Sequence, residues 1–348
     1  MPKDKDSFIC YGTGLITLDL VINGEDIGDL YAWAGGSCGN VLTILSYLGW
    51  TSRPLARLGK DVASKTLVKD MTSHGVDFKY VTFDNSVHTP IIIQRILTGR
   101  DGQPKHRFFW ICPNCGNWLP RYSPLRLIDI QIYYEQLKDI TCFYFDRVSP
   151  ASLRLAEKAK EKGALIVFEP TSIKDDPHFK AAINLCDILK YSNERTKTSP
   201  QRAYESKAKL VVETLGSEGL RYRFRKNNIC GKWKLMPAFR VHKLKDSAGA
   251  GDWCTAGLID KLATNKTPIT HLSEKIIENS LRYGQALSAL NCSFTGPRGI
   301  MYGMERSCFD KEIQSILKSK ETCTPSNDIL ADSLKKMSKC VCPACRRK

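Results

Sequence analysis

The sequence predicts an α/β protein, a doubly wound and mostly parallel sheet with helices on both faces and a small added β-lid. Three observations predict it. Short strand-like apolar segments alternate with helix-like ones along most of the chain, as βαβ units require. Gly49, Gly75 and Gly163 fall where helices would end and feed the next strand. Two early segments, 15–33 and 89–110, break the alternation and read as hairpins with turns at Asn23-Gly24 and at 99–102.

Taken in order, the strand-like runs are 8–11, 15–22, 91–97, 142–145, 165–168 and 210–214, and the helix-like ones 40–48, 63–74, 151–162 and 252–263. There is no internal repeat and no low-complexity tract. The hairpins form the lid, separate from the main sheet, with lid segments at about 15–33 and 89–122 inside a unit spanning 1–320. Residues 321–348 form a tail, with a polar helix over 328–337 and a cysteine-rich end.

With 348 residues and 42% apolar composition the chain can bury a large core. Its first apolar run is interrupted by Gly12, Thr13, Gly14, Thr17 and Asp19, so it reads as a strand rather than a signal peptide. No stretch reaches the ~18 apolar residues of a membrane span, and a cytoplasmic protein is expected. The fourteen cysteines, spread through a long chain, are then expected to be reduced thiols. A net charge of +16 calls for an anionic partner, which ATP, a phosphorylated product or nucleic acid would each satisfy.

The most informative segment runs from Lys245 to Trp253, just before a helix-like stretch. Gly249, Ala250 and Gly251 let backbone amides approach a phosphate at a helix N-terminus, which carries a partial positive charge. Asp252 then lies beside that cradle, where a carboxylate can take the proton of an attacking hydroxyl. Alone, such a string is also an ordinary turn before a helix. A second segment, Ala34-Gly35-Gly36-Ser37-Cys38-Gly39-Asn40, opens a helix after the first hairpin. A third, Val211 to Gly219, is a strand followed by a glycine turn containing Thr214, Gly216 and Gly219.

In this order the three segments resemble the signatures of the ribokinase-like (phosphofructokinase-B) kinases, with Ser247 where the family has threonine, and the resemblance covers roughly residues 8–305. It implies ATP-dependent phosphorylation of a small hydroxyl-bearing acceptor, with Asp252 as base. It further implies acceptor contacts from Asp19, Gly35, Gly36 and Asn40, and nucleotide contacts from Ser192, Thr214, Gly216, Gly219 and Asn291. The loop at 295–299 would border the adenine pocket. Two subunits often share the lid in such proteins, so a homodimer is expected.

The sequence also departs from the family. Where relatives carry an Asn-x-x-Glu segment that organises magnesium, this chain reads Ser192-Asn193-Glu194-Arg195, so Glu194 takes the role only after a small shift. The family's Asp-Pro-Asn becomes Glu169-Pro170-Thr171. The acceptor stays open between a monosaccharide, a nucleoside stacked on Trp33 or Trp110, and a sugar phosphate held by Arg107 or Arg121. A protein that binds nucleic acid on a kinase scaffold is the alternative of another class.

The copies of Cys-Pro-x-Cys at Cys112/Cys115 and Cys342/Cys345 have knuckle spacing for tetrahedral zinc, with unligated cysteines or redox chemistry as the alternatives and Cys340 as a competing ligand. Sequence separation makes this a tertiary staple, tying the tail to the segment after the second hairpin. Trp110, Trp118 and Tyr122 flank the first knuckle and are read as its packing.

Overall fold

The computed structural model describes residues 8–23, 30–98, 104–173, 176–196, 206–226, 229–265, 269–322 and 341–346. Its main sheet takes β1 (Ile9–Thr13), β4 (Thr51–Pro54), β9 (Cys142–Phe145), β10 (Leu165–Phe168), β11 (Ile188–Ser192) and β12 (Leu210–Thr214). These lie side by side and parallel in the order β4-β1-β9-β10-β11-β12. β13 (Leu220–Lys226) then pairs antiparallel with β12 and carries β14 (Ile229–Cys230) and β15 (Lys234–Met236). This is the doubly wound fold expected from the alternation of elements.

Strand residues alternate between two buried faces: Cys142 and Tyr144 join one core cluster, Phe143 and Phe145 the other. The first face is covered by α1 (Ser37–Tyr47), α2 (Val62–Ser73), α5 (Ala250–Ala263), α6 (Glu274–Cys292) and α7 (Arg306–Ser319), the second by α3 (Pro150–Glu161) and α4 (Pro177–Leu185). Local sequence starts several of these helices. Asp61 with Ser64 and Ser149 with Ser152 form reciprocal caps, and Pro150 and Pro177 occupy first-turn positions that need no N–H partner.

The lid is a separate four-stranded sheet in the order β3-β2-β7-β8. β2 (Thr17–Asn23) pairs antiparallel with β3 (Leu30–Gly35), as β7 (Ile91–Thr98) does with β8 (Pro104–Phe109), and β2 and β7 join the hairpins in parallel. The turns expected after Asn23 and at 99–102, the helix expected over 328–337, and Cys340 lie outside the described residues. Short β5 (Ala56–Gly59) and β6 (Val81–Asp84) pair with each other. The sequence reading passed over β4, β5, β6, β11 and β13; polar residues such as Arg53, Arg57 and Asp84 break in β4 to β6 the continuous apolar run that made the equally short β9 and β10 legible. Among the described residues no helix is long and apolar enough to cross a membrane.

Candidate active site

Open α/β sheets take ligands beyond the carboxyl ends of their parallel strands. The start of α5 lies over β11, whose Lys190 donates to the Gly251 carbonyl. Gly249 caps this helix in a left-handed conformation (φ +72°), and a Cβ there would collide with the Pro297 carbonyl. Asp252 follows in the first turn, and the Asn40 side-chain amide donates to its Oδ2 at 2.8 Å. Asn40 lies in the first turn of α1, which Gly36 caps. Two helix N-termini and two sequence-predicted residues therefore meet at one carboxylate.

Beneath the loop lies a buried polar network. Lys190 pairs with Glu169 at 2.6 Å and donates to the Gly251 carbonyl at 3.1 Å. The Thr255 hydroxyl reaches Glu169 at 2.6 Å and Gly251 at 3.0 Å, and the Tyr144 hydroxyl also donates to Glu169. Burial works against the charge on Lys190, but the Glu169 carboxylate outweighs it and holds the amine above its ordinary range. Asp246 accepts from the amides of Ala248 (2.7 Å) and Gly296 (2.8 Å). Asn291, expected beside the nucleotide, is fully buried, and its amide bridges the carbonyls of Ala248 and Gly296. Its side chain braces the two loops. Gly251 differs from Gly249: a methyl there would meet side-chain atoms of Lys190 and Glu169 only at ordinary contact distances of 3.7 and 3.8 Å.

On the lid side, Asp19 of β2 lies opposite Trp33 of β3, and a Cβ at Gly35 would collide with its carboxylate. Asp19 is buried with Oδ1 unpartnered, and desolvation, opposed by Arg298 and reinforced by Asp252, raises its pKa to about 8. Asn40 Oδ1, Trp33 Nε1 and Arg298 Nε and Nη1 are likewise buried without a hydrogen-bond partner in the protein. Sequence reasoning missed Arg298. Its Nη2 donates to the Ala34 carbonyl and to Asp70, both at 2.6 Å, and Asp70 also accepts from the Ala34 amide (2.8 Å) and the Tyr302 hydroxyl (3.0 Å). The only sequence signal was an arginine between Pro297 and Gly299 in a loop already singled out.

Ser192 and Thr214 are register partners at the ends of β11 and β12. Gly216 and Gly219 form the turn that follows, closed by a hydrogen bond from the Leu215 amide to the Gly219 carbonyl (2.8 Å). Glu194 is exposed just beyond β11, its amide held by the Ser192 hydroxyl. Arg107, Trp110, Trp118 and Arg121 are exposed on the outer lid, with Arg121 lying over the Trp118 ring at 4.4 Å. The buried arginine facing Asp19 is Arg298, and the stacking candidate nearest it is Trp33.

The sulfurs of Cys112, Cys115, Cys342 and Cys345 all lie within 4.8 Å of one another. Cys112 and Cys345 are 3.7 Å apart and Cys115 and Cys342 3.8 Å. Disulfide sulfurs would sit at about 2.05 Å, whereas the edge of a tetrahedron with Zn–S bonds of about 2.3 Å is about 3.8 Å.

Residues 13–301 match the family described as pfkB family carbohydrate kinase. The chain belongs to that family, whose members are ATP-dependent kinases acting on sugar hydroxyls. Fructokinase-1 of Zea mays is 23% identical over 324 residues, covering 85% of this chain and 94% of the relative. Among solved structures, the fructokinase of Xylella fastidiosa with bound ATP superposes with a TM-score of 0.68 at 18% identity, covering 91% of this chain and 99% of that one. The Arabidopsis thaliana ribokinase complexed with ribose and ATP gives 0.64 at 19% identity, covering 89% and 98%.

Proposed function

We propose that this kinase phosphorylates a hydroxyl of a neutral monosaccharide, with Asp252 as the general base. The observation that carries the proposal is the Asn40–Asp252 hydrogen bond at the start of α5, next to buried and unpartnered polar atoms of Asp19, Asn40, Trp33 and Arg298. In the reaction, Asp252 takes the hydroxyl proton as that oxygen bonds to the γ-phosphorus, and the β,γ-bridging oxygen leaves with ADP. The amides of Gly249 to Gly251 and the helix N-terminus balance the charge on the transferring group. The exposed Glu194, an oxygen donor as magnesium requires, is the residue that would hold the water shell of that ion, which when bound would supply charge neutralisation on the triphosphate.

Charge argues for a neutral acceptor. Asp19 and Asp252 influence each other; Arg298, the cation that opposes the shift of Asp19, is already paired with Asp70, and Lys190, which acts on Asp252, with Glu169. A phosphate on the acceptor would meet the Asp252 carboxylate, an Asp19 carboxyl that burial keeps largely protonated near neutral pH and an arginine already shared, whereas sugar hydroxyls both donate and accept, as the mixed set of orphaned atoms demands. A nucleoside remains the second reading, because the Trp33 ring lies in the same site.

The four cysteines fit a structural zinc, and their thiolates require a reducing, cytoplasm-like compartment. A second copy of the chain would find apolar surface on the lid edge, where Phe108, Phe109, Trp110 and Ile111 are exposed. The test is a panel of neutral sugars, their monophosphates and nucleosides, followed by ADP release. Turnover highest on a neutral sugar is expected; a preference for a sugar phosphate would overturn the acceptor assignment.

A further inference from the structure

We infer that zinc held by Cys112, Cys115, Cys342 and Cys345 straps the C-terminal tail to the lid, and that this strap sets acceptor affinity; the second half rests on the acceptor site proposed above. The first pair is built into the lid. Just past β8, Ile111 bridges Trp118 and the Leu119 amide donates to the Trp110 carbonyl at 2.8 Å, so the knuckle sits on a short ladder continuing the lid hairpin. Its turn is closed by Gly116 donating to Cys112 (2.9 Å) and Cys112 to Asn117 (2.8 Å). The chain then returns to β7, where the Pro120 carbonyl accepts from the Ile91 amide at 3.1 Å. Ile91 and Ile92 are register partners of Leu18 and Asp19. One hydrogen-bonded neighbour thus separates the segment leaving the knuckle from the strand that carries Asp19.

The second pair comes from the C-terminal segment, more than two hundred residues further along the chain. The chain leaves α7 at residues 320–322, fastened to the main unit: the Arg240 amide donates to Lys320, the Thr322 amide to Arg240, and the His242 amide to the Thr322 hydroxyl. It meets the lid again at 341–346, with Val341 and Cys342 buried against the same core cluster as Cys112 and Leu119. Four sulfurs converging from two such distant segments have little to hold them as thiols, since S–H groups are weak donors. As thiolates they would repel one another without a cation. A soft, tetrahedral divalent ion satisfies both conditions, and zinc is the usual one.

With the ion in place, the outer lid is cross-linked through metal–thiolate bonds to segment 341–346, whose Val341 and Cys342 pack in the first core cluster, in addition to its strand pairing. Without it, the lid is free to sample positions in which Asp19 no longer faces Asp252. Acceptor affinity falls in proportion to the time spent there. The proposed nucleotide contacts Ser192, Thr214, Gly216 and Gly219, on β11 and the turn after β12, are not part of the strap.

The experiment uses the full chain. Metal analysis and cobalt substitution read the site directly: one ion per chain and the visible spectrum of tetrahedral cobalt in a thiolate shell are expected, both lost in Cys342→Ser/Cys345→Ser. Stripping the metal with a chelator should raise the acceptor KM about tenfold, as when the competent lid falls to about a tenth of the population, with the ATP KM within about twofold. Added zinc should restore both. Stripping the intact chain covers the case in which the serine variant fails to fold. Hydrogen exchange of the β7 amides, expected to quicken on stripping, reads the lid whether or not the chosen sugar is a substrate. Zinc-replete protein that binds no ion would overturn the site, and a bound ion whose removal leaves both β7 exchange and the acceptor KM unchanged would overturn the strap.

Discussion

On the loop side of the active site, Glu169, Lys190, Asp246, Thr255 and Asn291 are all buried and make hydrogen bonds within the protein. On the lid side, Asp19, Trp33, Asn40 and Arg298 are buried to a similar degree, yet each keeps a polar atom without a partner. An unpaired buried donor or acceptor costs about 1–3 kcal/mol, so the lid side carries a strain that a hydroxylated ligand would relieve. The loop side has no such need. Under the proposed acceptor site, the difference separates residues that hold the fold around the site from residues whose partners would arrive with the substrate, and Asp252 stands at the seam between them.

The comparison breaks hardest at that seam. Asp252→Asn keeps an acceptor for the Asn40 amide but cannot take a proton, so kcat should fall by about a thousandfold, within the 10²–10⁴ range of general-base catalysis. ATP affinity measured by calorimetry should change little. Turnover near the wild-type rate would show that another group takes the proton. On the loop side, Lys190→Met leaves Glu169 buried without its cation, which should cost about 3–5 kcal/mol in urea unfolding. Lys190→Met/Glu169→Gln should recover part of that loss. A Lys190→Met protein of normal stability but poor ATP affinity would move Lys190 from the supporting side to the ligand side.

The same division marks what the sequence could reveal. The Gly249–Asp252 loop, the Gly35-Gly36 segment with Asn40, and both Cys-Pro-x-Cys pairs are contiguous strings whose spacing carries their chemistry. The alternation of strands and helices likewise sufficed for the fold class, though not for strands β4, β11 and β13 of the sheet. Arg298 was hidden because its role depends on two elements 264 and 228 residues away, Ala34 and Asp70. Lys190 sat inside a segment examined for magnesium, but nothing local says that its amine turns under the glycine loop. Asn291, expected beside the nucleotide, has its amide buried between the carbonyls of Ala248 and Gly296, a tertiary contact that its local string does not announce.

The lid side can be sharpened by pH. Desolvation raises Asp19 to about 8 from an ordinary value of 3.8, so the folded chain binds its proton more tightly than the unfolded chain does. The resulting stability is fully present below the unfolded value and is lost as pH rises through about 8. Unfolding free energy measured without ligand should therefore fall between those limits by an amount on the order of a few kcal/mol, and Asp19→Asn should flatten that slope. A wild-type slope equal to that of Asp19→Asn would mean that water or a counter-ion already solvates the carboxyl, and Asp19 would leave the list of groups waiting for a ligand.

The mildest test is Trp33→Phe. It deletes an orphaned N–H, which favours the variant, and trims the indole that abuts Gly296, which opens a space. Each effect is worth about 1–3 kcal/mol and they oppose each other, so the melting temperature should move little. Function should move more, because a lost hydrogen bond to the acceptor of about 1.4 kcal/mol is a tenfold rise in its KM. A rise in acceptor KM at constant ATP KM and constant stability would place the indole N–H among the groups that read the sugar. If the acceptor KM stays put while the melting temperature rises, the N–H faces only apolar neighbours, and an orphaned atom on this side is then no guide to the substrate.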